Sequence, residues 1–251
     1  MKNVNDKKFT LKMYLYITFK KNDFHIFGVL GLFSREVLYD TTMKYFTYGN
    51  TELEYLSNKD IKMKEIIDEV GIVYRIVDND LFSSVIHHII GQQISTKAQE
   101  TIWNRMVELL GVVNCDSILD STKEELQSIG LTFRKVEYIQ DFSKKVKDKE
   151  IDLDELWNLD DEEVIQQLIT IKGIGRWTAE MILLFCMQRK NVFSYDDLAI
   201  QRGLRMLYHH RKITKKLFEK YRRRFSPYCS IASIYLWEVS RMNLKDPGMK
   251  K

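Results

Sequence analysis

Apolar residues along this chain follow two rhythms, and the change between them divides it. Residues 9–33 are aromatic and β-branched with partial alternation, which predicts two strands or a hairpin turning around Lys20–Asp23. From about Met43 onward the apolar positions recur at helical spacing. Asp80 stands as an N-cap ahead of Phe82, Val85, Ile86, Ile89 and Ile90, and Gly91 closes that helix. Ser95 or Thr96 caps the next, whose stripe is Ala98, Ile102, Met106 and Leu109 and whose stop is Gly111. Further helices are predicted over 122–128, 133–148, 152–157, 160–169, 175–189, 197–209, 213–224 and 228–241. The expected fold class is mainly α, with a short N-terminal extension, 1–42, of β character.

Composition narrows this picture without changing it. The chain has 251 residues, 45% hydrophobic, with only two prolines, enough for one large or two small ordered domains. Cys115, Cys186 and Cys229 share no CxxC spacing, which argues against a zinc site or a cysteine-held iron–sulfur cluster and for a reduced, cytoplasmic setting. No stretch reaches the ~18 apolar residues that would cross a bilayer. Lys12 interrupts the apolar segment FTLKMYLYITF and no small-residue cleavage site follows, so neither a signal peptide nor a membrane partner is expected. The net charge of +4 is unevenly placed: from Lys172 to Arg224 there are 14 Lys/Arg against 4 Asp/Glu, while Glu150 to Glu163 is acidic. That asymmetry fits either a basic face for a polyanion or a solvated helix surface.

The most specific stretch is LITIKGIGRWTA, from Leu168 to Ala179. Asp160 and Glu163 form a capping box for a helix through Val164, Ile165 and Leu168, and Trp177, Met181, Leu184 and Phe185 form the stripe of the next. Gly173 and Gly175 therefore lie in a tight connection between two helices. Glycines allow positive φ and close backbone approach, and the second helix points its unpaired N–H groups outward, so the connection is suited to seat a phosphate. Lys172 and Arg176 flank it. A plain turn with a glycine-rich cap would use the same residues.

The run resembles the helix-hairpin-helix motif of DNA repair proteins, with Lys172 where proline is common. The resemblance implies DNA contacts at Lys172, Gly173, Gly175, Arg176 and Thr178, and a structural sodium or potassium ion on the backbone oxygens of Ile169, Ile171 and Ile174. Downstream, Ser194-Tyr195-Asp196-Asp197-Leu198-Ala199-Ile200-Gln201-Arg202 is similar to the aspartate segment of the helix-hairpin-helix DNA glycosylases, which makes Asp197 the catalytic carboxylate and Asp196 its neighbour or a cap. A fixed negative charge suits that chemistry, because breaking an N-glycosidic bond builds positive charge on the sugar. Taken alone, two aspartates before a helix are caps.

The string IIGQQISTKAQETIW, from Ile89 to Trp103, looks like the N-terminal signature of the bacterial 3-methyladenine DNA glycosylase II family. Such enzymes fill the gap left by a flipped base with a side chain, which the match assigns to Gln93, with Gln92 beside it. Trp177 and Trp237 would line the base pocket with Met181, which stands where some alkylation-repair relatives have tyrosine. The Gly130–Lys135 turn belongs to the same match. Bifunctional relatives place a lysine at position 177; a tryptophan cannot form a Schiff base, so water is the expected nucleophile and an abasic site the product.

The resemblance covers Met43 to Met242 and implies a two-lobed helical glycosylase region over 43–242 with the hairpin at 169–177, followed by a tail, 243–251. Residues 1–42 read as a remnant of a longer β-rich domain, or as preceding a true start at Met43. The expected partner is damaged double-stranded DNA, bound by a monomer in a nucleoid-associated, bacterial-type cytoplasm, with no cofactor for catalysis. Two other readings stay open: a bifunctional glycosylase/lyase for oxidised bases, and a non-catalytic module that binds distorted duplexes.

Overall fold

The computed structural model describes residues 44–248, so the strand pair expected within 9–33 lies outside the described residues. Within them run twelve α-helices: α1 (Asn50–Lys59), α2 (Ile61–Val70), α3 (Leu81–Gly91), α4 (Thr96–Leu110), α5 (Cys115–Asp120), α6 (Lys123–Ser128), α7 (Phe133–Lys147), α8 (Asp161–Leu168), α9 (Arg176–Phe185), α10 (Leu198–Tyr208), α11 (Lys215–Phe225) and α12 (Cys229–Arg241). A 3-10 turn, Glu155–Asn158, joins α7 to α8. Tyr45 and Ile76 form one isolated antiparallel bridge.

Side-chain caps set most of the starts. Asp80 accepts from Phe82 and Ser83, Ser95 from Ala98, Thr122 from Glu125, Thr132 from Lys135 and Asp160 from Glu163. Two expectations are corrected. The helix over 152–157 is only the 3-10 turn, because Asp152 Oδ1 binds the amides of Asp154 and Glu155 and holds the chain in a local turn. The helix over 175–189 stops at Phe185: Met187 bonds back to Ile182, Arg189 to Leu183, and Gln188 enters the left-handed region at φ 52°.

The helices pack in two groups. In one, α3 lies against α4, α7 and α9, α7 also packs on α5 and α6, and α8 packs on α9. In the other, α1, α2, α10 and α11 surround α12, whose Ile231, Ala232, Ile234, Tyr235 and Leu236 are fully buried. Gly203 makes the central crossing possible, since a Cβ there would stand 2.3 Å from the Leu236 carbonyl oxygen. The chain leaves the second group after α2 and returns to it at α10, so α9 and the start of α10 meet at the seam. Beyond α12, Asp246 is buried and accepts both arms of the Arg205 guanidinium at 2.9 and 2.7 Å, which ties the C-terminal segment to α10.

Candidate functional site

Asp197 is the N-cap of α10, and its side chain does more than cap. Oδ1 accepts the Ile200 amide at 2.8 Å and the Trp237 indole N–H at 3.1 Å, while Oδ2 accepts the Trp177 indole N–H at 3.0 Å. Three donors from α9, α10 and α12 thus fix one carboxylate that is only 6% exposed. The cap and the candidate catalytic group are the same residue. Asp196 is exposed and does not cap the helix.

The two indoles differ in what else they offer. Trp237 is 8% exposed, and Phe185 stacks on it with ring centres 5.5 Å apart, so its main contact is inward. Trp177 is 43% exposed and keeps its ring open at the seam. Met181, one turn further along α9, is buried in the core. Leu198 follows the carboxylate directly and is 79% exposed, an apolar side chain left in water beside the site. Sequence reading treats Leu198 only as a helix start; its mismatch with the buried face of α10 (Ile200, Gly203, Leu204, Leu207) is the signal that marks it.

The hairpin connects α8 to α9 through Ile169–Gly175. Gly173 adopts φ 87°, and a Cβ there would stand 2.4 Å from the Tyr138 ring, so glycine is required by conformation and by space. Gly175 has φ −95° and a Cβ there would meet nothing within 4 Å. It leaves open surface at the N-terminus of α9, where the first closed turn is Ala179 N–H to Gly175 oxygen and no side chain caps the end. The amides of Arg176, Trp177 and Thr178 precede that turn. The Thr178 side chain itself is buried.

Several expected contact residues are already engaged within the protein. Lys172 pairs with Asp141 at 2.7 Å. Arg176 forks onto Glu162 at 2.9 and 2.6 Å, holding that carboxyl down at about 2, and reaches Glu180 at 3.2 Å. Gln92 donates its side-chain amide to the Gly173 carbonyl at 2.6 Å and so bridges the two loops. Gln93, by contrast, is exposed and left-handed at φ 59°. Glycine-free positive φ is uncommon and stores strain, which presents this side chain outward.

The carbonyls expected to hold a cation form a hard oxygen set. Ile171 oxygen already accepts from Ile174 N–H at 3.0 Å, which leaves it one lone pair. The carbonyls of Ile169 and Ile174 accept no hydrogen bond among the described residues, so the donor set fits a sodium or potassium ion. Lys145 brings its ammonium to the adjacent Thr170 oxygen at 3.1 Å. Among the described residues no group of three or more His, Cys, Asp or Glu converges as a metal site, and no helix is long and apolar enough to cross a membrane.

The expected basic face is thinner than the charge count suggests. Beyond Lys172 and Arg176, Arg189 pairs with Asp161, Lys190 with Glu52, Arg205 with Asp246, Arg222 with Glu219 and Arg224 with Asp60. Lys216, Lys220 and Arg223 on α11 have no ion-pair partner among the described residues.

Comparison with known proteins adds the family. Residues 86–227 match the HhH-GPD superfamily of base excision DNA repair proteins. The chain is 30% identical over 197 residues to DNA-3-methyladenine glycosylase 1 of Schizosaccharomyces pombe, covering 75% of this chain and 86% of that protein. A solved DNA-3-methyladenine glycosidase of Bacillus halodurans is 31% identical with a TM-score of 0.71, covering 79% of this chain and 93% of that one. A 3-methyladenine DNA glycosylase of Schizosaccharomyces pombe, solved in complex with abasic DNA, is 28% identical with a TM-score of 0.67, covering 77% and 98%.

Proposed function

The chain belongs to the HhH-GPD superfamily of base excision DNA repair proteins, and on that premise we propose that it hydrolyses the N-glycosidic bond of alkylated, 3-methyladenine-type bases flipped from duplex DNA, leaving an abasic site. One observation carries the chemistry: the Asp197 carboxylate, nearly buried, held by two indole N–H groups and a helix N-terminus at the seam. As the base departs, positive charge grows on the sugar, and a carboxylate fixed beforehand stabilises that charge without reorganising. Water completes the displacement, oriented by the same carboxylate. Trp177 offers no amine for a Schiff base, which supports a monofunctional reaction.

Around this centre, the open Trp177 ring offers the stacking surface of the base pocket, with Trp237 and Met181 as its buried members. The open amides of Arg176, Trp177 and Thr178, with Gly173, Gly175 and Lys172, take the backbone phosphates, and Gln93 fills the gap in the stack. Ile169, Ile171 and Ile174 would hold a sodium or potassium ion, whose positive charge adds to the attraction for phosphate. C–N hydrolysis transfers no electrons and calls for no redox cofactor or iron–sulfur cluster. We propose a monomer over a glycosylase region at 43–242, acting on damaged double-stranded DNA in the cytoplasm.

The test is chromatography of free bases released from methylated duplex DNA. Wild type is expected to release alkylated purines, and Asp197→Asn to lose ~10³-fold or more of that rate while still binding the DNA. Equal release by the two proteins would sink the proposal.

A further inference from the structure

Lys135 stands at an unfavourable place on its own helix. It is the third residue of α7, in the first turn, where the helix dipole disfavours a cation. Its ammonium leaves that helix altogether and donates to the carbonyls of Ile90 and Gln92, each at 2.8 Å. Those oxygens lie at the C-terminus of α3, where carbonyls go unpaired and a cation is favoured. Partial burial there pushes the Lys135 pKa below its ordinary value.

The consequence falls on the next residue. Gln92 is bolted at both ends, its backbone oxygen to Lys135 and its side-chain amide to the Gly173 carbonyl. Gln93, immediately after it, carries the strained φ of 59° and projects into solvent. A left-handed glutamine persists only where its neighbours over-determine it. The geometry points to Lys135 as the positioning residue for Gln93: it holds the loop so that this side chain is presented, ready-formed, to a gap in the DNA stack. This inference rests on the reading of Gln93 as the inserted side chain.

The experiment compares Lys135→Met, Lys135→Arg, Gln93→Ala and the double variant Lys135→Met/Gln93→Ala. Affinity is measured for a duplex with a central abasic site and for the same duplex undamaged, at one salt concentration. Lys135→Met is expected to lose about tenfold in abasic-site affinity, equivalent to ~1.4 kcal/mol, with undamaged-duplex affinity unchanged. That second measurement also shows that the protein is folded. Lys135→Arg should recover most of the loss, and the double variant should be no weaker than Gln93→Ala alone.

Additive losses in the double variant would overturn the inference, because Lys135 would then act other than through Gln93. So would an equal loss for both duplexes, or no rescue by arginine. If Gln93→Ala alone binds both duplexes like wild type, the inserted-side-chain reading fails and takes the inference with it. That result is distinct from a silent Lys135→Met beside an impaired Gln93→Ala, which defeats the inference alone.

Discussion

At the residue scale, Asp197 shows how one side chain serves two ends. Both of its oxygens accept N–H donors while it starts a helix. Asparagine keeps the cap, yet its amide turns one oxygen into a donor facing an indole donor. Asp197→Asn therefore loses charge and one tether together. His87 carries a separate consequence. Burial, with a contribution from His88, lowers it from 6.5 to about 4. Its ring nitrogen receives the Gln99 amide at 3.2 Å, which also binds the His87 carbonyl at 2.7 Å. In the unfolded chain His87 takes up a proton below about 6.5, but in the folded chain only near 4, so the unfolded state binds more protons in that window. The stabilisation is complete above 6.5 and is lost as pH falls toward 4. At about pH 5 the loss from this residue is ~2 kcal/mol. Urea denaturation at pH 7 and pH 5 checks it: the stability difference between the two should shrink in His87→Gln, and an unchanged difference counts against this assignment.

At the scale of elements, α7 is the member that joins the α3–α4 loop to the α8–α9 hairpin. One face carries Lys135 to the Ile90 and Gln92 oxygens, Tyr138 under Gly173, Asp141 to Lys172 and Lys145 to the Thr170 oxygen. Sequence periodicity located this helix within a residue of its end but could not show its use, because the partners are backbone atoms of distant loops. The same limit explains the other misses. The end of α9 carries no Gly or Pro; a left-handed Gln188 and long-reach backbone bonds stop it instead. Starts marked by Asp80, Ser95 and Asp160 were legible, since each cap is a local interaction written in adjacent residues. The glycines sort by the same logic. A Gly203→Ala Cβ would press on the α12 backbone, which cannot turn aside, so a cost of about 3 kcal/mol or more is expected. Gly175→Ala meets open space and should cost only about 1 kcal/mol yet weaken DNA binding. Urea midpoints of the two variants test this, and a Gly203→Ala protein as stable as wild type would refute the close packing.

At the scale of the molecule, the site is assembled from chain segments that the sequence keeps far apart. Trp177, Asp197 and Trp237 were each legible as candidates, but their convergence on one carboxylate depends on how α9, α10 and α12 cross. Charge behaves in the opposite way: legible as a sum, it is redistributed by folding. Much of the basic excess in 172–224 is spent on internal carboxylates. Arg211, Lys212, Lys215, Lys216, Lys220 and Arg223 remain without an ion pair among the described residues, the last three on α11 with no ring contact either. DNA affinity should fall with added salt, each released counterion adding to the slope. Reversing the charge of Lys216, Lys220 and Arg223 should lower both affinity and slope. If neither changes, α11 is a solvated surface that does not meet the DNA.

The rod formed by α7 has a mechanical corollary. Lys135 and Lys145 are ten residues apart, so the anchors they provide are separated by ~15 Å along a helix that does not stretch. The loop bearing Gln93 and the start of the hairpin at Thr170 are thereby fixed at a set spacing along one rod, while Gln92 and Gly173 close directly on each other. Moving either loop alone would break these bonds, so the two are expected to move as one body.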